Sequence, residues 1–159
     1  MPEPRETTLA LHRTVFDRNL RLLERTVDGI SDDAASAPLV AGGSNLHWLL
    51  AHLVVSRDGL LARVGGQRVW DAEAAEAFGR GSLPTAEAPA TIKEQLARLR
   101  EQQARLDAVL ERLDDDDLGR EAGPMTVAGW IEFLAWHETY HLGQATLYRR
   151  AAGLPSAVG

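Results

Sequence analysis

The stretch Trp136-His137-Glu138-Thr139-Tyr140-His141-Leu142-Gly143-Gln144 decides how this chain is read. It lies in a helical pattern that Pro124 to Thr126 open and that runs to about Ala152. Two histidines four apart on a helix point the same way, one turn above the other, so both imidazoles can reach a single metal ion. Trp130, Phe133, His137, His141, Gln144 and Tyr148 share that face, and its aromatic members predict burial inside a bundle. A buried histidine needs a hydrogen-bond partner or a metal. A pair at this spacing must satisfy both rings in one small space, which favours a metal over two hydrogen-bonded core histidines.

Three more helical patterns lie upstream, and no strand. The first runs from about Arg5 to Ile30, with Leu9, Phe16, Leu20, Leu23, Val27 and Ile30 at spacings of three, four and seven. His12 fills the remaining slot of that stripe. Pro38 and Gly42-Gly43 break the chain. Ser44 then reads as the N-cap of a second helix, about Asn45 to Val64, which Gly65-Gly66 ends. Residues 65–90 hold four glycines and two prolines. They predict a long connection with a short helix near Ala72 to Phe78, unusual for a simple up-down bundle and often functional. Thr91 and Glu94 form a capping box for a third helix, about Ile92 to Leu113, with Gln103 in its stripe between Leu99 and Leu106. The acids Asp114 to Asp117 predict a solvated loop; they lack the alternating ligands and glycine of a calcium loop. Four helices at three-four spacing predict an all-α, single-domain four-helix bundle over residues 1–159, with a long crossover between the second and third.

The 159 residues are enough to bury a core without disulfides. A net charge of −6 lacks the basic footprint of a nucleic-acid binder. The apolar stretch Leu46 to Val55 is too short to span a bilayer. Met-Pro-Glu-Pro-Arg-Glu does not read as a signal peptide. The expectation is a cytoplasmic protein whose partner is a small molecule, not nucleic acid or membrane. There is no cysteine, which excludes disulfides, thiolate zinc sites and a cysteine nucleophile. Any metal must sit on nitrogen and oxygen.

A third ligand is needed, and the second helix offers His47 and His52. They are five apart and so about 140° apart around the helix. His52 shares a stripe with Trp48, Leu49, Val55 and Gly59, the predicted core face, whereas His47 is nearer the start and predicted to be a surface or capping residue. His52 is therefore the better ligand beside His137 and His141. Three neutral imidazoles suit zinc or nickel and leave the open positions of a catalytic metal. His12 and Gln103 are candidates for contact with a substrate or a metal-bound water if they converge on the same cavity; otherwise they form a buried hydrogen-bonded pair or lie exposed near a helix end. The string fits the HExxH protease signature. Yet nothing acidic follows Glu138 and no histidine follows His141, so the peptidase's third ligand is missing. Glu138, about 100° from His137 around the helix, is expected either to support a ligand histidine or to be a surface acid.

His52 within Leu49-Leu50-Ala51-His52-Leu53, the late His137 and His141 with trailing Gly143-Gln144, and the end Leu147-Tyr148-Arg149-Arg150 with Gly153-Leu154-Pro155 resemble the DinB/YfiT-like superfamily over nearly the whole chain. The resemblance implies a four-helix bundle with a long crossover, a divalent metal on His52, His137 and His141, and a homodimer. Characterised relatives include S-transferases that use bacillithiol or mycothiol. The implied activity is thus metal-dependent transfer of a low-molecular-weight thiol to an electrophile, or hydrolysis at the same metal. A divalent metal favours the attacking thiolate. With no cysteine in the chain, the thiol must come from a co-substrate. Glu138 and His12 are the candidate bases, and Gln103 and Gln144 the candidate cofactor contacts. The alternative is a non-enzymatic metal- or ligand-binding stress-response protein.

Overall fold

The structure, a computed structural model, describes residues 4–68, 70, 72–82 and 89–158. Among them are seven helices and no strand: α1 (Pro4–Val27), α2 (Asp32–Ser36), α3 (Leu46–Arg63), α4 (Ala72–Ala77), α5 (Ile92–Leu110), α6 (Asp115–Gly119) and α7 (Val127–Ala151). The long helices α1, α3, α5 and α7 form the four-helix bundle. No helix among the described residues is long and apolar enough to cross a membrane.

Local chemistry sets the helix ends. Gly29, at φ 80°, takes the left-handed conformation that ends α1 after Val27, three residues short of the expected end. The cap of α3 is Asn45, not the expected Ser44: its side chain accepts the Trp48 N–H at 2.8 Å, while the Ser44 carbonyl accepts the Tyr148 hydroxyl at 2.5 Å. Thr91 and Glu94 make the expected capping box. The acidic run corrects a second expectation. Asp114 is the N-cap of α6, in a capping box with Asp117, so α5 stops at Leu110 and its acids start a helix. The sequence reading also passed over α2, capped by Ser31.

The two core clusters give the helix directions. Leu9 of α1, Leu60 of α3, Leu106 of α5 and Val127 of α7 lie together at one end of the bundle. Val27, Leu46, Ile92 and Tyr148 lie at the other. Hence α1 and α7 run parallel, and so do α3 and α5. The packed pairs close the ring α1–α7–α3–α5. Because α3 and α5 are parallel, the connection between them must return by about the length of α5, ~28 Å. That is the physical reason for the long crossover, and α4 lies on it.

Between the clusters sits a polar layer. Arg57 of α3 and Glu138 of α7 are both nearly solvent-free and form a two-pronged ion pair, Nε to Oε1 at 2.5 Å and Nη2 to Oε2 at 3.0 Å. The same guanidinium donates to the carbonyls of Leu99 (3.2 Å) and Phe16 (3.4 Å), so one side chain touches all four long helices. Asn19 donates to Thr139 at 3.0 Å, and Gln102 to the Val54 carbonyl at 2.9 Å, beside it.

Two further expectations are corrected here. The buried residues of α7 are Val127, Ile131, Leu134, Ala135, Glu138, His141, Leu142, Ala145 and Tyr148, so His141 and Tyr148 of the expected face are buried. The other four residues of that face, Trp130, Phe133, His137 and Gln144, are only half-buried. His47 is not a surface residue but is 1% exposed. Its Nε2–H donates to the Asp32 carbonyl at 3.0 Å, and its Nδ1 accepts from Gln95 at 3.3 Å. Both ring nitrogens are therefore used, and α2, α3 and α5 are tied together. His47→Ala is expected to lower stability by about 1–3 kcal/mol through the partners left unsatisfied. Chemical denaturation checks this, and an unchanged midpoint contradicts it.

Candidate metal centre

Three imidazoles meet between α3 and α7. His52 comes from α3, and His137 and His141 from adjacent turns of α7. The Nε2 atom of His137 lies 3.1 Å from that of His52 and 3.0 Å from that of His141. One ligand nitrogen from each ring falls within 4.8 Å of the others.

The outer nitrogens show what these inner ones can do. His52 Nδ1 is 2.7 Å from the Phe78 carbonyl, which can only accept, so the proton of a neutral His52 is on Nδ1. His141 Nδ1 meets the Gln144 side-chain oxygen at 2.7 Å, with the same consequence. Gln144 is held in turn by donating to the Tyr140 hydroxyl at 3.1 Å. Two bare Nε2 lone pairs therefore face the Nε2 of His137. A neutral His137 protonated there can donate to only one of them. Protonated on the other side, it leaves a buried Nδ1–H without an acceptor, since that atom has no partner among the described residues. Among the described residues, then, nothing meets all three inner lone pairs at once; a cation among them would, with the His137 proton on Nδ1. This donor set fits a divalent metal ion.

Electrostatics keeps the rings neutral, as ligands must be. Burial, then the neighbouring His141 and His52 and the charge of Arg80, push His137 down to about 3. Burial pushes His141 down to about 4, against the opposing effect of the hydrogen bond it donates to Gln144. Burial lowers His52, against its bond to Phe78. Trp48 supports His52 from behind, stacked with ring centroids 4.9 Å apart and planes 6° from parallel, and donates to Ser82 at 3.2 Å.

A pH dependence follows. The folded values lie below the ordinary 6.5, so as pH falls the unfolded chain takes up protons first. The contribution of these rings is complete above about pH 6.5 and is lost as pH falls toward 4 and then 3. Urea midpoints of EDTA-treated protein at pH 7.5, 6 and 5 should fall in that order; a flat series contradicts the depressed values.

A cavity of about 410 Å³ opens beside His52 and His137, between α3, α7 and the crossover. The crossover supplies Trp70, Arg68, Gly79 and Arg80 to its wall, besides the Phe78 carbonyl that orients His52. Trp70 and Phe78 pack on each other, centroids 6.2 Å apart, Phe78 buried and Trp70 against the same core.

The other candidates fall elsewhere. His12 donates from Nδ1 to the Thr8 carbonyl of its own helix at 2.9 Å. Gln103 donates to Asp107 at 3.2 Å. Neither lines the cavity and they do not bond each other, so the cavity contact and the buried pair are corrected; His12 is partly exposed in the first half of α1. Glu138 is neither a partner of a ligand histidine nor a surface acid: its carboxylate belongs to Arg57. It points into the bundle, one helix step from His137, and is no base for this centre. Gln144 contacts a histidine, which places it as an orienting group. The sequence reading missed Arg57, although an arginine on the stripe Leu50, Val54, Leu61 was a visible signal of a buried partner.

The family model described as the DinB superfamily matches residues 15–145. The chain belongs to the DinB superfamily. Two solved structures share its fold. YfiT from Bacillus subtilis, described as a probable metal-dependent hydrolase with an unusual four-helix bundle topology, is 20% identical, with a TM-score of 0.68 over 98% of this chain and 94% of that one. A conserved protein from Enterococcus faecalis is 18% identical, with a TM-score of 0.68 over 89% of this chain and 94% of that one. No curated protein matches the chain. In this DinB-superfamily member the fold, the three-histidine cluster and the cavity thus occur together.

Proposed function

We propose that this DinB-superfamily chain is a divalent-metal-dependent enzyme with His52, His137 and His141 as ligands, transferring a low-molecular-weight thiol to an electrophile. The observation that carries the reading is the convergence of three imidazole Nε2 atoms, two with their proton held on the far side, at the edge of a roomy cavity. When bound, a divalent ion lowers the pKa of a thiol or water that reaches it, and so supplies the nucleophile.

The chain's own residues do the rest. Phe78 and Gln144 hold the two tautomers, and Trp48 fixes the His52 plane. Among the described residues lining the cavity the acid is Asp58, whose carboxylate accepts the Trp70 N–H at 3.3 Å. Hydrolysis gains from a base placed to take a proton from water; a thiol is the stronger acid and would lose its proton more readily at a divalent ion. This favours thiol transfer. Hydrolysis is the second reading, supported by the description of YfiT.

The test is metal-loaded protein with bacillithiol or mycothiol and monochlorobimane. The thiol sulfur should displace chloride to give the thioether, and EDTA should reduce the rate to background. No turnover with either thiol overturns the first reading. Ester cleavage by the same loaded protein puts hydrolysis in its place, and metal binding without either reaction leaves a binding protein. The homodimer stays part of this proposal. Trp136 and Tyr140, exposed on α7 and stacked 5.9 Å apart, offer apolar surface to a second copy. A monomer at every concentration in sedimentation velocity overturns it.

A further inference from the structure

The wall of the cavity is charged in a way the chain as a whole is not. The protein carries a net charge of −6. Yet the cavity is lined by Arg63, Arg68 and Arg80 against the single acid Asp58, among the described residues. Like charges gathered around one apolar cleft repel each other and raise the local concentration of anions.

The arginines are not equivalent. Arg80 follows Phe78 closely and stands beside the histidines, where its charge reaches His137. Arg63 ends α3, and Arg68 follows it. Arg63 lies eleven steps along α3 from His52, about 16 Å of helix axis, and its guanidinium reaches back one turn to the level of Gly59. Arg63 is fixed: Nη1 donates to the Gly59 carbonyl at 2.7 Å, and its guanidinium lies 4.0 Å over the Trp130 ring. Trp130 is fixed too, donating to the Ala122 carbonyl at 2.8 Å. The charge of Arg68 acts on Arg63. Neither Arg68 nor Arg80 pairs with a carboxylate among the described residues. Between the two ends the wall is mostly apolar, with Val55, Leu60, Met125, Phe133 and Leu134, interrupted on α3 by Ser56 and by Asp58, whose carboxylate accepts the Trp70 N–H.

We infer that the substrate is a small organic anion with an apolar or aromatic body, its carboxylate or phosphate held by Arg63 and Arg68 at the end of the cavity far from the histidines. Guanidinium forks match either head group, and an apolar cleft with a few fixed polar groups is the ordinary form of a small-molecule site. The inference takes the cavity of the proposed enzyme as its substrate site, but it needs neither a particular metal nor a particular reaction.

The test is calorimetric titration of 2-naphthoate, 2-naphthyl phosphate and the neutral, similarly sized 2-naphthamide into metal-loaded and EDTA-treated protein. The acid or the phosphate should bind about tenfold tighter than the amide in both forms. Whichever anion binds tighter names the head group. Arg68→Gln should remove most of that preference, while Arg80→Gln and the surface control Arg105→Gln keep it. Arg63→Gln should act like Arg68→Gln.

Equal binding of amide and both anions overturns the inference. So does a preference that survives Arg68→Gln and Arg63→Gln but is lost in Arg80→Gln, because the head would then lie at the histidine end. A preference confined to metal-loaded protein and insensitive to every arginine substitution means that the anion sits on the metal; it overturns this inference and leaves the metal reading standing. The converse, a preference in protein that never binds metal, keeps this inference and removes the metal.

Discussion

His141→Ala is expected to abolish metal retention while leaving the bundle folded. Elemental mass spectrometry on protein prepared without a histidine tag should find about one zinc or nickel per chain in the wild type. His141 contributes one of the three converging nitrogens, 3.0 Å from that of His137. Partners outside the ligand set are themselves worth about 10–100-fold in affinity, so losing a ligand should cost more than about 100-fold. The bundle survives because His141 stands beside the core clusters, whose mass is Leu, Ile, Val and Phe from all four long helices. Far-UV circular dichroism checks that point. A milder companion separates orientation from ligation. Gln144→Leu removes the acceptor that holds the His141 proton on Nδ1, and should weaken metal by about 10–100-fold without removing it. Stoichiometric metal in His141→Ala would falsify the ligand set. A wild type that takes up no metal after reconstitution leaves three histidines bonded to one another.

Glu138→Leu should be the most destabilising single change outside the metal centre. The carboxylate is bound by Arg57 through two nitrogens, and both groups are nearly solvent-free. Removing one partner leaves a buried charge without its counterion, a loss of about 3–5 kcal/mol. For a chain of this size that lowers the melting temperature by roughly 10 °C. Arg57→Met combined with Glu138→Leu should recover much of it, since an apolar pair of similar volume removes the desolvation penalty as well as the attraction. The double-mutant cycle reads the coupling directly. Metal content should not change in either variant, because Glu138 turns away from the three histidines. If Glu138→Leu keeps its stability and loses its metal, the acid belongs to the metal centre and the separation drawn here is wrong.

The glutamate shows how far a pattern in sequence reaches. His137-Glu138-Thr139-Tyr140-His141 reads as a protease string, and the missing downstream ligand already argued against that. Where the acid goes could not be read locally. Its partner lies 81 positions away on α3. The helical step that separates it from His137 allows a solvent face as readily as the core. His47 failed for a similar reason. Its place at the start of α3 suggested a surface, yet α2, a five-residue helix with little periodicity to reveal it, folds over that end and supplies Asp32.

By itself the sequence determined what depends on short-range periodicity and capping. It determined the four long helices, the Thr91–Glu94 capping box, the crossover that lengthens one connection, and three histidines whose spacing and stripes set them on facing helices. Only the tertiary structure decided what depends on residues distant in the chain meeting in space. It brought the Phe78 carbonyl to His52 and so turned its lone pair inward. It assigned Glu138 to Arg57 and removed His12 and Gln103 from the site. It gathered three arginines of α3 and the crossover around one cavity. Helix formation is governed by neighbours within about one turn, whereas a lone pair, an ion pair and a pocket are each completed by a partner that local sequence does not contain.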